Sequence, residues 1–258
     1  MSHPAFDKLF SLEGHVAVVT GGGGAIGRDT AAMLADAGAA VVLLDRDADT
    51  VRAAADAIAA RGARVLAIVC DITHGDEVNA AFARIVQIYG RLDLLVNNAA
   101  MVKRVPALEM SVQAWREVMQ VNLDAAFVCA CAAARLMTAG GSIVNIASIM
   151  GLSGGGVYPI ASYHASKGGL VNLTRALAVE WAQLNIRVNA VAPTWVRTEF
   201  TKALLDDPVM SAELLALMPI KQFAETTDVA AAVLYLAAPA ARMVTGHVLA
   251  VDGGFLAR

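Results

Sequence analysis

Short apolar runs alternate with longer amphipathic segments along the chain. The short runs are rich in Val, Ile, Leu and Ala, which is typical of strands buried on both faces of a parallel sheet. They cover residues 15–20, 40–44, 64–69, 92–96, 143–147, 186–191 and 247–251. The intervening segments have helical periodicity over residues 28–37, 48–60, 76–89, 111–137, 158–184 and 227–236. This alternation predicts an α/β fold with a doubly wound parallel sheet, right-handed crossovers and helices on both faces.

No linker or compositional break divides the chain. Its 258 residues fit two small domains or one α/β domain, and the unbroken pattern favours a single dinucleotide-binding and catalytic domain over residues 1–258. Residues 199–218 alternate polar and apolar side chains, contain Pro208 and are followed by Pro219. This pattern predicts a helical lid over a pocket, within about residues 195–220, although an ordinary pair of surface helices gives the same pattern.

Composition and charge narrow the function classes. The hydrophobic fraction is 57%, above the usual ~45–50%, which suits a tightly packed interior and apolar contacts between subunits. The net charge is −3 without a basic, aromatic-rich patch, so we expect no nucleic-acid partner. No apolar run approaches the ~20 residues of a membrane span, and no signal peptide is visible. Three cysteines without a Cys-x-x-Cys pair fit a reduced cytoplasm, and the scattered histidines predict no metal site.

A glycine cluster follows the first predicted strand and precedes the first predicted helix. Its spacing is Thr-Gly-x-x-x-Ala-x-Gly, from Thr20 to Gly27. Glycines let the backbone approach a pyrophosphate closely, and a helix N-terminus presents amides and partial positive charge to it. A plain tight turn is the alternative, but the order strand, glycines, helix favours a dinucleotide cradle.

An acidic residue ends the second predicted strand. Asp45 follows Gly27 by 18 positions, near the ~20 expected for a group that binds the adenosine ribose hydroxyls. A carboxylate there would repel the 2′-phosphate of NADP by up to ~4 kcal/mol per charge pair at ~4 Å and an effective dielectric of ~20. The cofactor is therefore predicted to be NAD. Arg46 keeps NADP open, since a guanidinium can hold that phosphate, and a surface Asp-Arg turn is a further interpretation.

Polar residues after later strands are candidates for the same cleft. Asp71 can accept from the adenine amino group, or it can cap the helix that opens near Gly75. Asn97 and Asn98 can brace the central sheet and approach the cofactor, or serve a turn. Asn122 lies in an apolar helical run and needs a polar partner if it is buried.

Tyr163 and Lys167 are four residues apart on a predicted helix and share one face. A free phenol titrates near pH ~10, too high for a good base at neutral pH. A nearby ammonium favours the phenolate, so we expect Lys167 to lower the pKa of Tyr163. Such a tyrosine can exchange a proton with an alcohol or a ketone. Taken alone, the pair is also compatible with a chance surface arrangement.

These motifs occur in one order along the chain. In the glycine cradle, Asp45, Asn97-Asn98-Ala99, Asn122, Ser148 and the Tyr163/Lys167 pair, the sequence resembles the short-chain dehydrogenase/reductase family from about Leu12 to Gly254. The resemblance implies a seven-stranded Rossmann sheet and a nicotinamide cofactor. It also implies a catalytic tetrad of Asn122, Ser148, Tyr163 and Lys167. The motifs and the resemblance together predict cofactor contacts from Gly21, Gly24, Ala25, Ile26, Gly27, Asp45, Arg46, Asp71, Ile72, Asn98, Ala99, Tyr163, Lys167, Pro193, Val196 and Thr198.

The resemblance also implies roles for the tetrad. Ser148 would donate a hydrogen bond to the substrate oxygen and hold it against Tyr163. Lys167 would bind the nicotinamide ribose and stabilise the phenolate, while Asn122 would hold a water that connects Lys167 to solvent. Thr198 would lie near the nicotinamide carboxamide. The cofactor itself carries the hydride.

Four positions depart from the pattern of the family. Ala25 and Ala100 stand where many members have glycine, and Thr194 replaces the glycine that follows the proline of the sixth strand. Ala147 precedes the serine where a second serine is frequent. None of these changes removes a chemical group that turnover needs, but Thr194 is expected to reshape the loop beside the nicotinamide.

Several positions bear on the substrate. Residues 9–12, 103–106 and 246–249 are similar to those of members that act on sugar acids. Lys103 or Arg104 can meet a substrate carboxylate, or both can be solvated surface charges. Trp195 and Met150 can form an apolar wall, whereas His164 turns about 100° away from Tyr163 and is assigned to packing or an interface.

The leading hypothesis is an NAD-dependent oxidoreductase that interconverts a secondary alcohol, such as a polyol, sugar acid or hydroxy acid, and its ketone. The alternatives are an NADPH-dependent reductase of 3-oxoacyl thioesters and a non-catalytic dinucleotide sensor. A small-molecule substrate is expected, with neither nucleic acid nor membrane as partner. Excess apolar surface and the resemblance together suggest a homotetramer.

Overall fold

Seven parallel strands form one sheet in the computed structural model, which describes residues 8–258. The strands are β1 (Val16–Thr20), β2 (Ala40–Asp45), β3 (Val65–Val69), β4 (Leu94–Asn97), β5 (Gly141–Ile146), β6 (Ile186–Pro193) and β7 (Val248–Val251). Their order is β3-β2-β1-β4-β5-β6-β7, and every neighbouring pair is parallel. The predicted α/β class and the seven-stranded sheet are confirmed. Part of the segment on which the signal-peptide expectation rests, residues 1–7, lies outside the described residues.

Nine α-helices connect the strands within residues 8–258. They are α1 (Ala25–Asp36), α2 (Ala48–Ala59), α3 (Gly75–Tyr89), α4 (Val112–Met119), α5 (Ala125–Leu136), α6 (Ala161–Glu180), α7 (Lys202–Leu205), α8 (Pro208–Leu217) and α9 (Thr226–Ala237). Two boundaries differ from the prediction in ways that concern the site. Helix α1 begins at Ala25 inside the glycine cluster, because Gly24 takes the N-cap position, and α6 begins at Ala161 rather than near Tyr158.

Alternate side chains of each central strand enter two different cores. On β1, Val16 and Val18 belong to a core shared with α3, α5 and α6. Ala17 and Val19 belong to a second core shared with α1, α2 and α9. Because successive residues of a strand point to opposite faces, a sheet covered on both sides needs apolar residues at every position. This explains the unbroken Val, Ile and Leu runs of the sequence.

The sheet order reverses between β1 and β4, which are neighbours although two strands separate them in the chain. In open α/β sheets such a reversal leaves a crevice at the carboxyl ends of the strands, where the connecting loops diverge to opposite faces. Here those ends are Thr20 and Asn97, with Ile146 and Pro193 ending the next two strands. The fold therefore places the glycine cluster and Ser148 at the same edge of the sheet.

The helix predicted for residues 111–137 is continuous but not uniform. A π-helical turn, Gln120–Asp124, joins α4 to α5. The combined segment Val112–Leu136 is long and apolar enough by length and composition to cross a membrane, which corrects the expectation that no segment approaches such a span. Its buried positions in α5 are Ala and Cys residues that pack on the sheet and α3. The buried core helix of a soluble protein can have the same length and apolar composition. These two features are therefore weak support for a membrane span.

A chain of buried amides ties α6 to the middle of the sheet. Asn97 Nδ2 donates to Asn145 Oδ1 at 2.9 Å, and Asn145 Nδ2 donates to Thr174 Oγ1 at 2.9 Å. The Thr174 hydroxyl donates in turn to the Leu170 carbonyl at 2.8 Å. Buried polar groups are costly when a partner is removed, so this chain holds α6 in one position relative to β4 and β5.

Replacing the central amide should destabilise the fold. We expect Asn145→Ala to lower the free energy of unfolding by about 2–4 kcal/mol, because it removes one of the two acceptors of the Asn97 amide and leaves a small cavity. Urea unfolding followed by circular dichroism measures the change. Thr174→Ser keeps the hydroxyl and serves as the matched control, with a loss below about 1.5 kcal/mol. Equal free energies of unfolding for Asn145→Ala and the parent would contradict the proposal that these buried hydrogen bonds hold α6 on the sheet.

Candidate active site

A cleft of about 920 Å³ lies at the carboxyl ends of the central strands. One end is lined by the glycine cluster and by residues after β2 and β3, the other by residues after β4, β5 and β6 and by the start of α6. Its volume is in the upper part of the range for small-molecule sites, ~300–1,000 Å³. The cleft therefore has room for a long ligand that reaches from the glycine cluster to Tyr163.

The glycine cluster is shaped by close backbone contacts. Gly21 has φ +64°, in the left-handed region that favours glycine. A Cβ on Gly27 would lie 2.2 Å from the Gly21 carbonyl oxygen, so only glycine fits there. The Asn98 side chain locks the turn, since its Nδ2 donates to the carbonyls of Thr20 and Gly21 at 3.0 and 3.1 Å.

The N-terminus of α1 is open toward the cleft. Gly24 at the N-cap supplies no side chain to the first amides, and no acidic residue occupies the first turn. Gly24, Ala25 and Ile26 line the cleft. Uncapped amides and the partial positive charge of a helix N-terminus suit an anionic group such as a pyrophosphate. The cradle residues thus fit the phosphates of a dinucleotide.

Asp45 and Arg46 line the cleft beside the cradle. Asp45 Oδ2 accepts from the Gly23 amide at 3.1 Å, and Oδ1 accepts from the Asp47 amide at 3.2 Å. These bonds fix the carboxylate at the end of β2. No acidic side chain forms an ion pair with Arg46 among residues 8–258. A negative and a positive group therefore stand side by side where an adenosine ribose is expected.

Asp71 and Ile72 line the next part of the cleft, after β3. Asp71 Oδ1 accepts from the Thr73 amide at 2.9 Å and from its hydroxyl at 2.7 Å. Partial burial opposes ionisation, but the bonds from Thr73 outweigh it and lower the pKa of Asp71. The suggestion that Asp71 caps α3 is wrong, because His74 occupies that N-cap. Asp71 instead forms a local turn that leaves it at the cleft.

The two asparagines after β4 have separate positions. Asn97 is buried and bonded to Asn145, while Asn98 and Ala99 line the cleft. The amides of Asn98 and Ala99 donate to the hydroxyl of Thr20, at 3.0 and 3.2 Å. Asn97 therefore braces the sheet, and Asn98 shapes the cradle, so the two alternatives weighed from the sequence apply to different residues.

Tyr163, Ser148 and Lys167 meet at the other end of the cleft. The Ser148 hydroxyl hydrogen-bonds the Tyr163 phenol, and Ser148 Oγ also accepts from the Met150 amide at 3.1 Å. Lys167 is 1% exposed, and its Nζ donates to the Ile146 carbonyl at 2.6 Å. The Lys167 Nζ lies 5.7 Å from the centroid of the Tyr163 ring. Strand β5 and helix α6 thus assemble a serine, a phenol and an ammonium side by side.

The titration of this group differs from the prediction. Burial raises the pKa of Tyr163 to about 12, although the bond from Ser148 acts in the opposite direction. Burial also lowers the pKa of Lys167 to about 7. The expected lowering of the Tyr163 pKa is therefore wrong, because burial has the largest influence on it. Desolvation outweighs the attraction because it penalises both charged forms.

Asn122 lies inside the π-helical turn and is 1% exposed. Its Oδ1 accepts from the Met101 amide at 2.8 Å, and its Nδ2 donates to the Met101 carbonyl at 2.9 Å and to Ser166 Oγ at 3.0 Å. Both amide hydrogens are therefore used. Asn122 joins the segment after β4 to α6 one residue before Lys167, but its side chain does not line the cleft.

Pro193, at the end of β6, and Val196 and Thr198, on the loop that follows, line the cleft. The departure at Thr194 adds a contact, since its hydroxyl donates to the Met218 sulfur at 3.2 Å. The Thr194 amide donates to the Val251 carbonyl at 3.0 Å. This loop is therefore attached both to the sheet and to the end of the segment expected to form a lid.

Lys103 and Arg104 have different surroundings. Lys103 forms an ion pair with Glu117 and does not line the cleft, so it is excluded as the residue that meets a substrate. Arg104 does line the cleft, and its guanidinium lies 5.6 Å from the centroid of the Tyr158 ring. Glu117 follows Lys103 by 14 positions, and a pair at this separation gives no periodic signal in the sequence.

Two features of the cleft were missed from the sequence. Tyr158 lines it and accepts a hydrogen bond from Trp195 Nε1 at 2.6 Å. Phe255 packs edge-on against Trp195, with ring centroids 5.6 Å apart. An aromatic residue five positions before Tyr163 is a weak local signal for Tyr158, and no signal marks Phe255. Trp195 and Met150 do lie on the apolar wall that the sequence suggested.

The histidine and cysteine side chains have structural surroundings. His164 Nδ1 lies 3.1 Å from the Ile160 carbonyl and its Nε2 3.4 Å from the Gly155 carbonyl. The three cysteines are free, and burial raises the pKa of Cys70 to about 11 and of Cys129 to about 12. Over residues 8–258, no group of three or more His, Cys, Asp or Glu side chains is arranged to hold a metal ion.

Comparison with known proteins identifies the family. A family model described as enoyl-(acyl carrier protein) reductase matches residues 23–256. The chain belongs to the short-chain dehydrogenase/reductase family. The relatives it matches are named dehydrogenases and reductases of hydroxyl or keto groups, so its reaction class is oxidoreduction of a CH–OH group.

Three matches illustrate the range of this family. The chain is 40% identical to 2-dehydro-3-deoxy-D-gluconate 5-dehydrogenase of Escherichia coli K12, over 97% of this chain and 99% of that protein. It is 43% identical to cis-4-hydroxycyclohexanecarboxylate dehydrogenase of Sinomonas cyclohexanicum, over 94% and 96%. A crystal structure from Beutenbergia cavernae, assigned as an NAD(P) dependent gluconate 5-dehydrogenase with bound NADP, superposes with a TM-score of 0.91 at 44% identity, over 96% and 99%.

The buried ammonium should make stability depend on pH. The pKa of Lys167 is about 7 when folded and 10.5 in its ordinary environment, so the unfolded chain binds more protons between these values and stability rises with pH. Between pH 7 and pH 9 the parent should gain about 2–3 kcal/mol that Lys167→Met lacks. Thermal unfolding of both proteins without cofactor at pH 6, 7 and 9 measures this difference. If the stability of both proteins changed with pH in the same way, the lowered pKa of Lys167 would be refuted.

Proposed function

We propose that the protein is an NAD-dependent oxidoreductase that interconverts a secondary alcohol and its ketone. The observation that carries the proposal is the position of the Tyr163 phenol, which lies beside Ser148 in the same cleft as the glycine cradle. The tetrad assignment of Asn122, Ser148, Tyr163 and Lys167 is part of the proposal. When bound, a nicotinamide dinucleotide would supply the hydride chemistry, and the cradle, Asp45 and the loop after β6 would hold it.

In this proposal the residues of the chain move one proton. During oxidation the Tyr163 phenolate takes the proton of the substrate hydroxyl, and during reduction the phenol returns it. Ser148 donates to the substrate oxygen and keeps it within reach of Tyr163. Lys167 in its ammonium form favours the phenolate, and a positive charge bound nearby acts in the same direction. Asn122 holds the segment after β4 against α6 and so positions Lys167.

Removing the phenol hydroxyl tests this assignment. We expect Tyr163→Phe to lower kcat by about 10²–10⁴-fold, the usual contribution of a general acid or base, while the affinity for NADH stays within about threefold. Initial rates by nicotinamide absorbance and NADH fluorescence titration measure the two quantities. Tyr89→Phe is the matched control, because Tyr89 ends α3 outside the cleft. Normal turnover by Tyr163→Phe would remove Tyr163 from the mechanism.

The preference for NAD over NADP rests on the fixed carboxylate of Asp45. Its two hydrogen bonds to backbone amides hold it in the cleft, so it cannot swing away from a 2′-phosphate without losing both. Arg46 lies next to it, and a structural neighbour contains NADP. The proposal is that the fixed charge of Asp45 outweighs the exposed guanidinium of Arg46, which forms no ion pair in residues 8–258, because a fixed group needs no ordering before it interacts.

Neutralising this carboxylate should change the cofactor preference. We expect NADH to bind the parent at least tenfold more tightly than NADPH, and Asp45→Asn to reduce that ratio at least tenfold by removing the repulsion. Fluorescence titration with both cofactors measures the ratio. Asp49→Asn, an exposed position outside the cleft, should leave it unchanged. Equal affinities for NADH and NADPH in the parent would end the case for NAD.

We further propose that the substrate is a hydroxy acid. This is one of the three classes of secondary alcohol that the sequence suggests, beside polyols and sugar acids. The relatives named above act on a sugar acid and on a hydroxycyclohexanecarboxylate, and both substrates combine a hydroxyl with a carboxylate. Arg104 is a cleft-lining cation without an acidic partner in the described part of the chain. This guanidinium is the proposed anchor for the carboxylate.

The proposal includes a homotetramer in the cytoplasm and a lid over residues 195–220. An apolar groove between α5 and α6, with Phe127 46% exposed at its edge, supports subunit contacts. Sedimentation, which reports the mass of the assembly, tests this part.

The lid is supported by Phe200, Lys202 and Leu205, which line the cleft, and by its attachment through the bond from the Ile220 amide to the Gly253 carbonyl at 2.9 Å.

A further inference from the structure

The half of the cleft around Tyr163 is mainly apolar. Its lining side chains include Val102, Met150, Tyr158, Ile160, Trp195 and Leu205. All six belong to, or pack against, one apolar cluster that also contains the Tyr163 ring. A substrate whose hydroxyl reaches Tyr163 must therefore place the atoms around its reacting carbon against hydrocarbon and aromatic surfaces.

Two polar side chains on this wall already donate within the chain. Trp195 Nε1 donates to the Tyr158 hydroxyl, and the Thr194 hydroxyl donates to the Met218 sulfur. Ser148 and Tyr163 are required by the reacting oxygen itself. Additional substrate hydroxyls would leave water for a wall that offers mainly hydrocarbon and aromatic surface, and an unpaired buried hydroxyl disfavours binding. The wall thus discriminates against a polyhydroxylated body.

A charged group stands at one side of this wall. The Arg104 guanidinium stacks near the Tyr158 ring and has no ion-pair partner among residues 8–258. Two other cations of this part of the cleft have acidic partners, since Lys202 lies 3.5 Å from the Glu199 carboxylate and Arg197 lies 3.3 Å from the Glu225 carboxylate. Arg104 is therefore the cation left for a ligand carboxylate next to the aromatic wall.

We propose, resting on the function proposed above, that the substrate is a hydroxy acid with an apolar body rather than a polyhydroxylated sugar acid. An alicyclic or aromatic ring packs on Met150, Tyr158 and Trp195, and the carboxylate pairs with Arg104. In oxidation the carbinol C–H bond breaks and its electron pair passes as hydride to the oxidised nicotinamide. The hydroxyl proton passes to Tyr163, and the carbon–oxygen double bond forms.

A matched pair of acids isolates the effect of the body. With saturating NAD, kcat/KM should be at least tenfold higher for 3-hydroxycyclohexanecarboxylate than for quinate, which carries extra hydroxyls on the same ring skeleton. The carboxamide of the first compound should be at least tenfold poorer, because it loses the anion. Equal or better turnover of quinate overturns the apolar body, and equal turnover of the carboxamide overturns the pairing with Arg104.

A polar substitution on the wall provides the second arm. Leu205→Asn adds a hydrogen-bonding group at a cleft-lining position of α7, and it should narrow the ratio between the two acids by about tenfold. Ala203→Asn on the same helix is exposed, lies outside the cleft lining and should leave the ratio unchanged. A ratio that Leu205→Asn does not alter contradicts the proposed contact.

Binding measurements distinguish a failure of the apolar-body inference from a failure of the proposed reaction. The NADH-loaded enzyme is titrated with cyclohexanecarboxylate and with quinate. Tighter binding of cyclohexanecarboxylate by at least tenfold supports the apolar subsite even if neither hydroxy acid is oxidised, a result that would contradict the proposed reaction alone. Turnover with tighter binding of quinate leaves the reaction standing and overturns the apolar subsite. No binding of either acid also overturns it.

Discussion

The organisation of the site depends on one buried hydrogen bond, from the Lys167 ammonium to the Ile146 carbonyl at 2.6 Å. The carbonyl belongs to the end of β5, and the lysine belongs to α6. The bond therefore fixes the helix that carries Tyr163 against the strand that leads into Ser148. Because the ammonium is almost completely removed from water, the arrangement carries a desolvation cost that lowers the pKa of Lys167. That cost is the reason why the pair titrates so differently from a solvated Tyr and Lys.

A second connection, through Asn97, Asn145 and Thr174, holds the same helix from another direction. Two ties from one sheet to one helix leave little freedom for α6 to slide or rotate. The cradle is braced separately, since Asn98 bonds the backbone of the glycine turn. Both braces start in the sequence Asn97-Asn98 at the end of β4, where the sheet order reverses. The two halves of the cleft are consequently positioned by adjacent residues of one strand end.

Local periodicity was sufficient to predict the strands, the glycine turn and the shared face of Tyr163 and Lys167, because these depend on neighbours within a few positions. Two of the failures depend on distant contacts, and a third depends on a local turn. The pKa of Tyr163 is set by burial that several elements create together, and Lys103 is neutralised by Glu117, 14 positions away. The capping assignment of Asp71 failed because a carboxylate two residues before Thr73 prefers a local turn. Ser148, Tyr163 and Lys167 could be named from the sequence as candidates for one site, whereas the pKa shifts of Tyr163 and Lys167 could not.

The apolar wall beside Tyr163 is the feature least accessible to the sequence, because its side chains come from five separate segments. Met150 follows β5, Tyr158 precedes α6, Trp195 follows β6, Leu205 ends α7, and Phe255 supports Trp195 from the end of the chain. A single change in any of these segments alters the wall without disturbing Ser148, Tyr163 and Lys167, which are held by the sheet and α6. Relatives with the same reaction class can therefore differ in the body of their substrates, and overall identity near 40% is a weaker guide to that body than the composition of this wall.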